Sequence, residues 1–213
     1  MAVDVKGFSV FRSDWAGAVT VTIGATSATI TPSASTSSSA VMSRIVSTCL
    51  STFSGSTFSW AILPDGRYNL TNSDAFSVSF AGTTHTKLGY SVASLSGSNY
   101  YSASAVASDA FYLTNRVRYT LDVPQPQTTG VTYSDKSVLL RTPGTDWKSP
   151  ELSMVLKRAE ALDLVDKLAQ AQTPGKISVV VGTEVTTHHL GRVTMRTRDS
   201  ISGVFDASLE VLL

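Results

Sequence analysis

Residues 58–113 read FSWAILPDGRYNLTNSDAFSVSFAGTTHTKLGYSVASLSGSNYYSASAVASDAFYL, and this stretch decides the fold class. Phe76, Val78 and Phe80 alternate with small polar residues, the pattern of a strand with one buried face. Turn chemistry at 64–67, Pro-Asp-Gly-Arg, separates two other strand-like runs and predicts a hairpin. The stretch can build a sheet, and it contains no catalytic motif. We therefore expect an α+β protein that is mainly β, with antiparallel sheets or sandwiches and one helix packed on each half.

Composition restricts the class of protein further. The chain has 213 residues, 42% of them hydrophobic, which is enough for one large or two small packed cores. Charged residues make up only 15%, and the formal net charge is +1, so we expect no specific nucleic-acid binding. The sequence predicts no membrane segment and no secretory signal. A single cysteine cannot form an internal disulfide and fits assembly in a reducing cytoplasm.

Charge is distributed unevenly and suggests two domains. Residues 1–114 contain five of the 17 basic and five of the 16 acidic residues, and about a third of this part is Ser or Thr. Pro124-Gln125-Pro126-Gln127 resembles an extended connector. We predict a Ser/Thr-rich, mainly β domain over 1–114 and a second β domain over 115–213.

One helix is predicted in each domain. In the first, apolar residues recur at four-residue steps and predict a helix over about 38–54. The preceding run Ser33–Ser39 could be a flexible linker or could cap this helix. In the second, apolar spacing predicts a helix over about 159–172, ended by Pro174-Gly175.

The remaining segments predict strands and turns. Strands are expected at 7–11, through 18–30, and in several runs of the second domain up to an alternating terminal strand at 204–213. Asn72-Ser73-Asp74 predicts a second turn, Thr86–Tyr90 a short helical turn, and the Ser-rich segment around Tyr100-Tyr101 a loop.

The order of these elements resembles a pattern in virion proteins of tailed bacteriophages. The pattern is a Ser-capped helix, an aromatic strand, a DGR turn, the strand AFSVSF, the turn KLGY, the loop SLSGSNYYSAS and the strand AFYL, over residues 37–113. This chain has Lys87 where the pattern often has a second Leu. The second domain is similar in topology to the tail-tube-like fold of tube, distal-tail and baseplate proteins, with a helix packed on antiparallel strands.

Candidate catalytic and metal-binding residues are few, and each has a simpler interpretation. Cys49 lies on the apolar face of the first predicted helix and has no visible base partner, so we interpret it as a core residue. His188-His189 would point to opposite faces of a strand, and only His85 lies elsewhere, so no metal site is predicted. Asp65-Gly66 is interpreted as a plain turn. We assign no catalytic, cofactor-binding or metal-binding residue and expect no enzyme activity.

Two groups of residues are candidates for contacts with other molecules. Arg192, Arg196 and Arg198 form a basic strand that could face DNA or an acidic neighbour, although a solvated face balanced by Asp199 and Glu210 is the simpler interpretation. The Tyr100-Tyr101 segment could be a recognition loop or could pack on its own sheet or on an adjacent subunit.

The resemblance implies a structural protein of a phage virion, in the tail or baseplate and assembled in the host cytoplasm. We expect a homo-oligomer that also docks to other phage structural proteins. The alternatives are a receptor- or glycan-binding tail module and a head decoration protein.

Overall fold

The computed structural model describes residues 3–15, 17–112, 117–120, 129–132, 138–141, 151–169, 176–181, 184–199 and 203–212. Within these ranges the protein is mainly β, with three antiparallel sheets and few helices, as the sequence predicts. The strands are β1 Val3–Val10, β2 Val19–Ile23, β3 Thr26–Ile30, β4 Ser59–Ile62, β5 Tyr68–Phe80, β6 Ser94–Ser102, β7 Ala110–Phe111, β8 Val117–Thr120, β9 Thr129–Thr132, β10 Val138–Arg141, β11 Glu151–Lys157, β12 Lys176–Val181, β13 Glu184–Asp199 and β14 Val204–Leu212. The helices are α1 Ser38–Thr52, α2 Thr84–Lys87 and α3 Arg158–Ala169.

Six strands form a sheet that closes on itself. Their order is β12-β13-β14-β11-β8-β1, and β1 pairs again with β12, so the first and last strands of this order are joined. The short strand β7 pairs with β1 at Phe8 and Ser9. Apolar side chains from β1, β11, β12 and β14 fill the interior, and α3 adds Ala161 and Leu164 to the same core. The amino-terminal strand is therefore needed to complete a sheet built mostly from the second half of the chain.

A second hydrophobic core lies between a five-stranded sheet and α1. The strand order of this sheet is β3-β2-β5-β4, and β6 pairs along β5. Helix α1 packs against the inner face of this sheet with its buried apolar residues, and Ser37 caps it by accepting a hydrogen bond from the backbone N–H of Ala40. The predicted helix over 38–54 is confirmed as α1.

The KLGY turn is confirmed as a compact support beneath this sheet. Leu88 and Tyr90 are buried immediately after α2. Gly89 has a φ of +85°, and its carbonyl accepts hydrogen bonds from the N–H groups of Ser104 and Ala105. A Cβ at this position would lie 2.1 Å from the carbonyl oxygen of Ala105, so only glycine fits without displacing the backbone.

Three local predictions were wrong. Residues 18–30 form a hairpin of β2 and β3 rather than one strand. Asn72-Ser73-Asp74 is an irregularity within the continuous strand β5, because the Asn72 side chain accepts a hydrogen bond from the Thr57 N–H and donates one to the Asp74 carbonyl. The segment around Tyr100 is strand β6 rather than a loop, paired with β5 through its backbone.

The helix predicted over 159–172 is confirmed as α3 at 158–169, and residues 170–172 lie outside the described residues. The predicted domain boundary near residue 115 stays a prediction. The strand pairing does show that β1, from the predicted first domain, pairs with β8 and β12, from the predicted second.

Phe80→Ala should lower the free energy of unfolding by about 3–5 kcal/mol, because it removes a buried aromatic side chain from the β5 core. Phe76, Val78 and Phe80 are all buried, as their alternation predicts. Thermal and denaturant unfolding would measure the change. Ser79→Ala, on the exposed face of the same strand, is the matched control and should change stability by less than about 0.5 kcal/mol. Equal losses of unfolding free energy in Phe80→Ala and Ser79→Ala would contradict the assignment of Phe80 to the buried face of β5.

Deleting residues 210–213 should destabilise the fold. The end of β14 is paired on both sides within the same chain, with Glu210 opposite Glu151 and with Val211 and Leu212 opposite Leu190 and His189. The deletion opens the closed sheet at this end and should lower the thermal midpoint. An unchanged midpoint would contradict the pairing of β14 within one chain.

Candidate functional site: a buried serine junction and an uncharged sheet face

Two serines of the closed sheet hold the amino terminus of α1. Ser9 in β1 and Ser178 in β12 lie directly opposite each other in the register. The Ser9 hydroxyl lies 2.6 Å from that of Ser39, and the Ser178 hydroxyl lies 2.6 Å from that of Ser37. All four side chains are buried. Because serine is small, the first turn of α1 can approach the two strands closely while every hydroxyl keeps a partner.

The hydrogen bonds continue into the five-stranded sheet. The Ser38 hydroxyl lies 2.8 Å from the phenol oxygen of Tyr68, which lies 2.7 Å from that of Tyr112. The Ser38 N–H donates to Oδ2 of Asp109 at 2.7 Å, and the Asp109 carbonyl accepts from the Val10 N–H. We call these residues the serine junction: Ser9, Ser37, Ser38, Ser39, Tyr68, Asp109, Tyr112 and Ser178. It joins the closed sheet, α1 and the five-stranded sheet in one network.

Asp109 is the charged member of the serine junction. Burial raises the pKa of its carboxyl group to about 6, while the hydrogen bonds from Ser38 oppose that shift. Its position at the amino terminus of α1 also favours the ionised form. The second oxygen, Oδ1, is buried without a hydrogen-bond partner among the described residues. Burial likewise raises the pKa of Tyr68 and Tyr112, so both phenols stay protonated at neutral pH.

The serine junction organises the fold and is closed to a substrate. The serines, Tyr68 and Asp109 are all buried, and among the side chains that the structure describes no histidine takes part in the hydrogen bonds of the junction. A serine nucleophile needs an adjacent base and access to the reacting group. The geometry instead fixes how α1 sits on both sheets.

The outer face of the five-stranded sheet carries no charged side chain at its paired, outward positions. Alternate residues point away from the core, and cross-strand rows bring their hydroxyl groups side by side. We call this surface the hydroxyl face. Its residues are Thr20, Thr22, Ser27, Thr29, Ser59, Ala61, Asn69, Thr71, Ser77, Ser79, Ser94, Tyr100 and Ser102.

Many hydroxyls of this face bond to each other across strands. The hydroxyl oxygens of Thr22 and Ser27 lie 2.9 Å apart, and those of Ser59 and Thr71 lie 2.7 Å apart. These pairs order the side chains and leave acceptor lone pairs directed at solvent. Tyr100 adds an aromatic ring that is 60% exposed, while its neighbour Tyr101 is buried and donates its phenol proton to the Phe76 carbonyl. The two tyrosines therefore have different roles: Tyr101 anchors β6, and Tyr100 is available for contact.

The residues singled out from the sequence do not converge on one centre. Cys49 is buried in α1, and burial raises the pKa of its thiol to about 12, so it stays protonated. His85 lies in α2, whereas His188 and His189 lie in β13. No group of three or more potential metal ligands occurs among the described residues. Asp65 and Gly66 form the predicted turn, in which the Gly66 N–H donates to the Leu63 carbonyl.

The basic strand is confirmed as exposed. Arg192, Arg196 and Arg198 lie on β13 with their side chains in solvent. A guanidinium nitrogen of Arg198 lies 3.8 Å from a carboxylate oxygen of Asp206 on β14. The predicted balancing charges were Asp199 and Glu210, and Asp206 is an additional one that sequence spacing did not indicate.

No family model matches the chain, and no curated protein or solved structure shows significant similarity to it. None of the helices in the described part of the chain is long and apolar enough to cross a membrane.

The stability of the protein should fall as the pH rises from about 4 to about 6. The Asp109 carboxyl ionises near 3.8 in the unfolded chain but near 6 when buried, so folding favours its protonated form. Below about pH 4, Asp109 is protonated in both the folded and the unfolded chain, so its burial does not change the free energy of unfolding with pH. Above about pH 6, Asp109 is ionised in both, and its burial lowers the free energy of unfolding by a constant amount of about 3 kcal/mol. Unfolding midpoints measured across this range would show the slope.

Asp109→Asn should abolish that slope, because the amide still accepts the Ser38 N–H bond and does not titrate. Asp14→Asn is the matched control. The Arg12 guanidinium lowers the pKa of Asp14 to about 2, so its contribution is lost mainly below pH 4 and the slope from 4 to 6 should remain. A slope that survives in Asp109→Asn would contradict this account of the serine junction.

Proposed function

We propose that this chain is a structural component of a tailed-phage virion, in the tail or baseplate, that self-associates and docks to neighbouring tail proteins. The observation that carries the assembly proposal is the hydroxyl face. The phage setting rests on the resemblance of residues 37–113 to virion proteins and of the second half to tail-tube-like proteins.

An uncharged sheet face is suited to burial against another protein. Removing a charged side chain from water costs several kcal/mol unless it is paired, and the centres of protein interfaces are depleted in charge. Hydroxyl groups lose less on desolvation and can exchange water for a partner across the interface. The hydroxyl face can therefore dock without burying an unpaired charge.

The rest of the fold supports a subunit that keeps its shape. The closed sheet leaves its six member strands paired on both sides for part of their length, and the serine junction ties that sheet to α1 and the five-stranded sheet. The carboxyl-terminal strand also finds both partners within its own chain. Association in this proposal therefore uses surfaces of folded subunits rather than an exchanged terminal strand.

A second candidate is a receptor- or glycan-binding tail module. The observation that favours it is the exposed ring of Tyr100 at the edge of the hydroxyl face. A sugar could stack on this ring and hydrogen-bond to nearby hydroxyls. Binding of neutral glycans by the folded monomer, lost in Tyr100→Ala, would favour this function over assembly. The remaining alternative is a head decoration protein, which would lie on the head of the particle and not in its tail or baseplate.

Analysis of purified virions tests the proposed function directly. Mass spectrometry and negative-stain microscopy of virions made by the virus that encodes this chain should find it in multiple copies in the tail or baseplate. A full-length protein that is monomeric at high concentration and absent from purified particles would overturn the proposal.

Thr22→Lys and Ser79→Lys should each weaken association, because a lysine in the hydroxyl face would have to lose its hydration on docking. Both positions are at the solvent side of the sheet, so the thermal midpoint should change little. Ser47→Lys, on the exposed side of α1, is the matched control. Light scattering after size-exclusion chromatography would measure association. Assembly that tolerates both lysines would show that this face is not an interface.

A further inference from the structure

We infer that copies of this chain associate head to tail, with the outer side of α3 in one copy docked on the outer side of β13 in the next. This inference rests on the proposed self-association and adds to the hydroxyl face a second contact between copies. Each surface combines at least one exposed apolar side chain with charged side chains, and the charges of the two surfaces are of opposite sign.

Helix α3 presents two kinds of side chain to solvent. Ala161 and Leu164 are buried in the core of the closed sheet, whereas Leu162 is 59% and Val165 is 46% exposed. Leu162, Val165 and Ala169 recur at three- and four-residue steps and share one side of the helix. Apolar side chains grouped on an exposed helix side can form part of a contact surface.

Carboxylates flank this apolar side. Asp163 and Asp166 are both exposed next to Leu162 and Val165. Lys167 binds Asp163 with contacts of 2.7 and 2.8 Å, which reduces the net charge there and leaves Asp166 as the dominant negative charge of the patch. We call Leu162, Asp163, Val165 and Asp166 the α3 patch.

The outer side of β13 has the complementary character. Arg192, Arg196 and Arg198 are exposed on it. Arg196 lies opposite Asp206 of β14, and Asp206 in turn lies opposite Val155 of β11, so these three residues form one cross-strand row.

Val155 is 37% exposed and adds an apolar side chain to this same outer face. We call Val155, Arg192, Arg196 and Arg198 the β13 patch. Asp206 offsets part of its charge through the 3.8 Å contact with Arg198, so Arg192 and Arg196 carry most of its positive character.

The two patches match in chemistry. A guanidinium group can bind a carboxylate through two parallel hydrogen bonds, which sets orientation as well as attraction. Contact of Leu162 with Val155 would remove apolar surface from water at the same site. Exposed ion pairs are weak and screened by salt, so this association should weaken as salt rises.

The positions of the patches determine the symmetry. The inner side of α3 packs into the interior of the closed sheet, whereas the β13 patch lies on the exterior of that sheet. One copy therefore carries the two patches on different surfaces. Contacts between unlike surfaces produce rings where the rotation closes and filaments where it does not.

Charge reversal on each side tests the inference. One variant carries Arg192→Glu and Arg196→Glu, and the other carries Asp163→Arg and Asp166→Arg. Each alone should self-associate about tenfold more weakly than the unaltered protein, because like charges then face each other. An equimolar mixture should recover association, because both contacts in an alternating assembly are again between opposite charges. Sedimentation velocity would measure association, and circular dichroism would check folding.

Arg44→Glu, an exposed charge on α1, is the matched control and should associate normally. Should a double variant fail to fold, Asp166→Asn and Arg196→Gln provide milder changes, and each should reduce the salt dependence of association. Normal association of both charge-reversed variants, while the unaltered protein assembles, overturns these surfaces and leaves the proposed function standing. An unaltered protein that stays monomeric at every concentration overturns this inference, and it overturns the proposed function as well when the protein is also absent from purified particles.

Discussion

The fold depends on the pairing of β1 with β12. This single antiparallel contact closes the six-stranded sheet, and it places Ser9 and Ser178 side by side on the surface where α1 begins. The hydroxyl groups of Ser37 and Ser39 then bind that pair, and Ser38 reaches Tyr68 and Asp109. Without the pairing, the closed sheet would be open and the first turn of α1 would lose the surface on which it sits.

The distribution of charge follows from the same architecture. The five-stranded sheet uses hydroxyl pairs where an exposed sheet ordinarily carries lysine and glutamate, so the paired, outward positions of its hydroxyl face are hydrated without being charged. Charged side chains are concentrated in the second half of the chain, where α3 and β13 present opposite signs. The described part of the chain thus presents a neutral sheet face and two charged patches of opposite sign.

Local patterns predicted much of the fold. Helical spacing of apolar residues identified α1 and α3, and strict alternation identified the buried face of β5. Strand β6 was missed because its Ser-Gly composition resembles a loop, whereas its place is fixed by backbone pairing with β5 and by the Tyr101 bond to Phe76. Asn72 was read as a turn residue because its side chain mimics backbone bonds equally well in a turn and in an irregular strand.

The serine junction could not be predicted in the same way. Ser37 and Ser178 are 141 positions apart, and nothing in either local sequence indicates the other. The available signals were weak: serines within the apolar strands β1 and β12, and a solitary carboxylate, Asp109, in a segment of Ala and Ser. Long-range contacts between small polar side chains leave no periodicity, so only the three-dimensional structure brings them together.

The closed sheet also constrains how the chain folds during synthesis. Strand β1 leaves the ribosome first, yet β12, which completes its pairing, follows more than a hundred residues later. Closure of so long a loop is slow, and topologies with many distant contacts fold more slowly than those with local ones. The strands of the five-stranded sheet and α1 end by residue 102, and their shared core extends only to residue 112, so this part of the fold can form earlier. The nascent chain therefore carries a β1 that lacks its β12 partner beside a nearly finished five-stranded sheet until residues 176–181 have been synthesised.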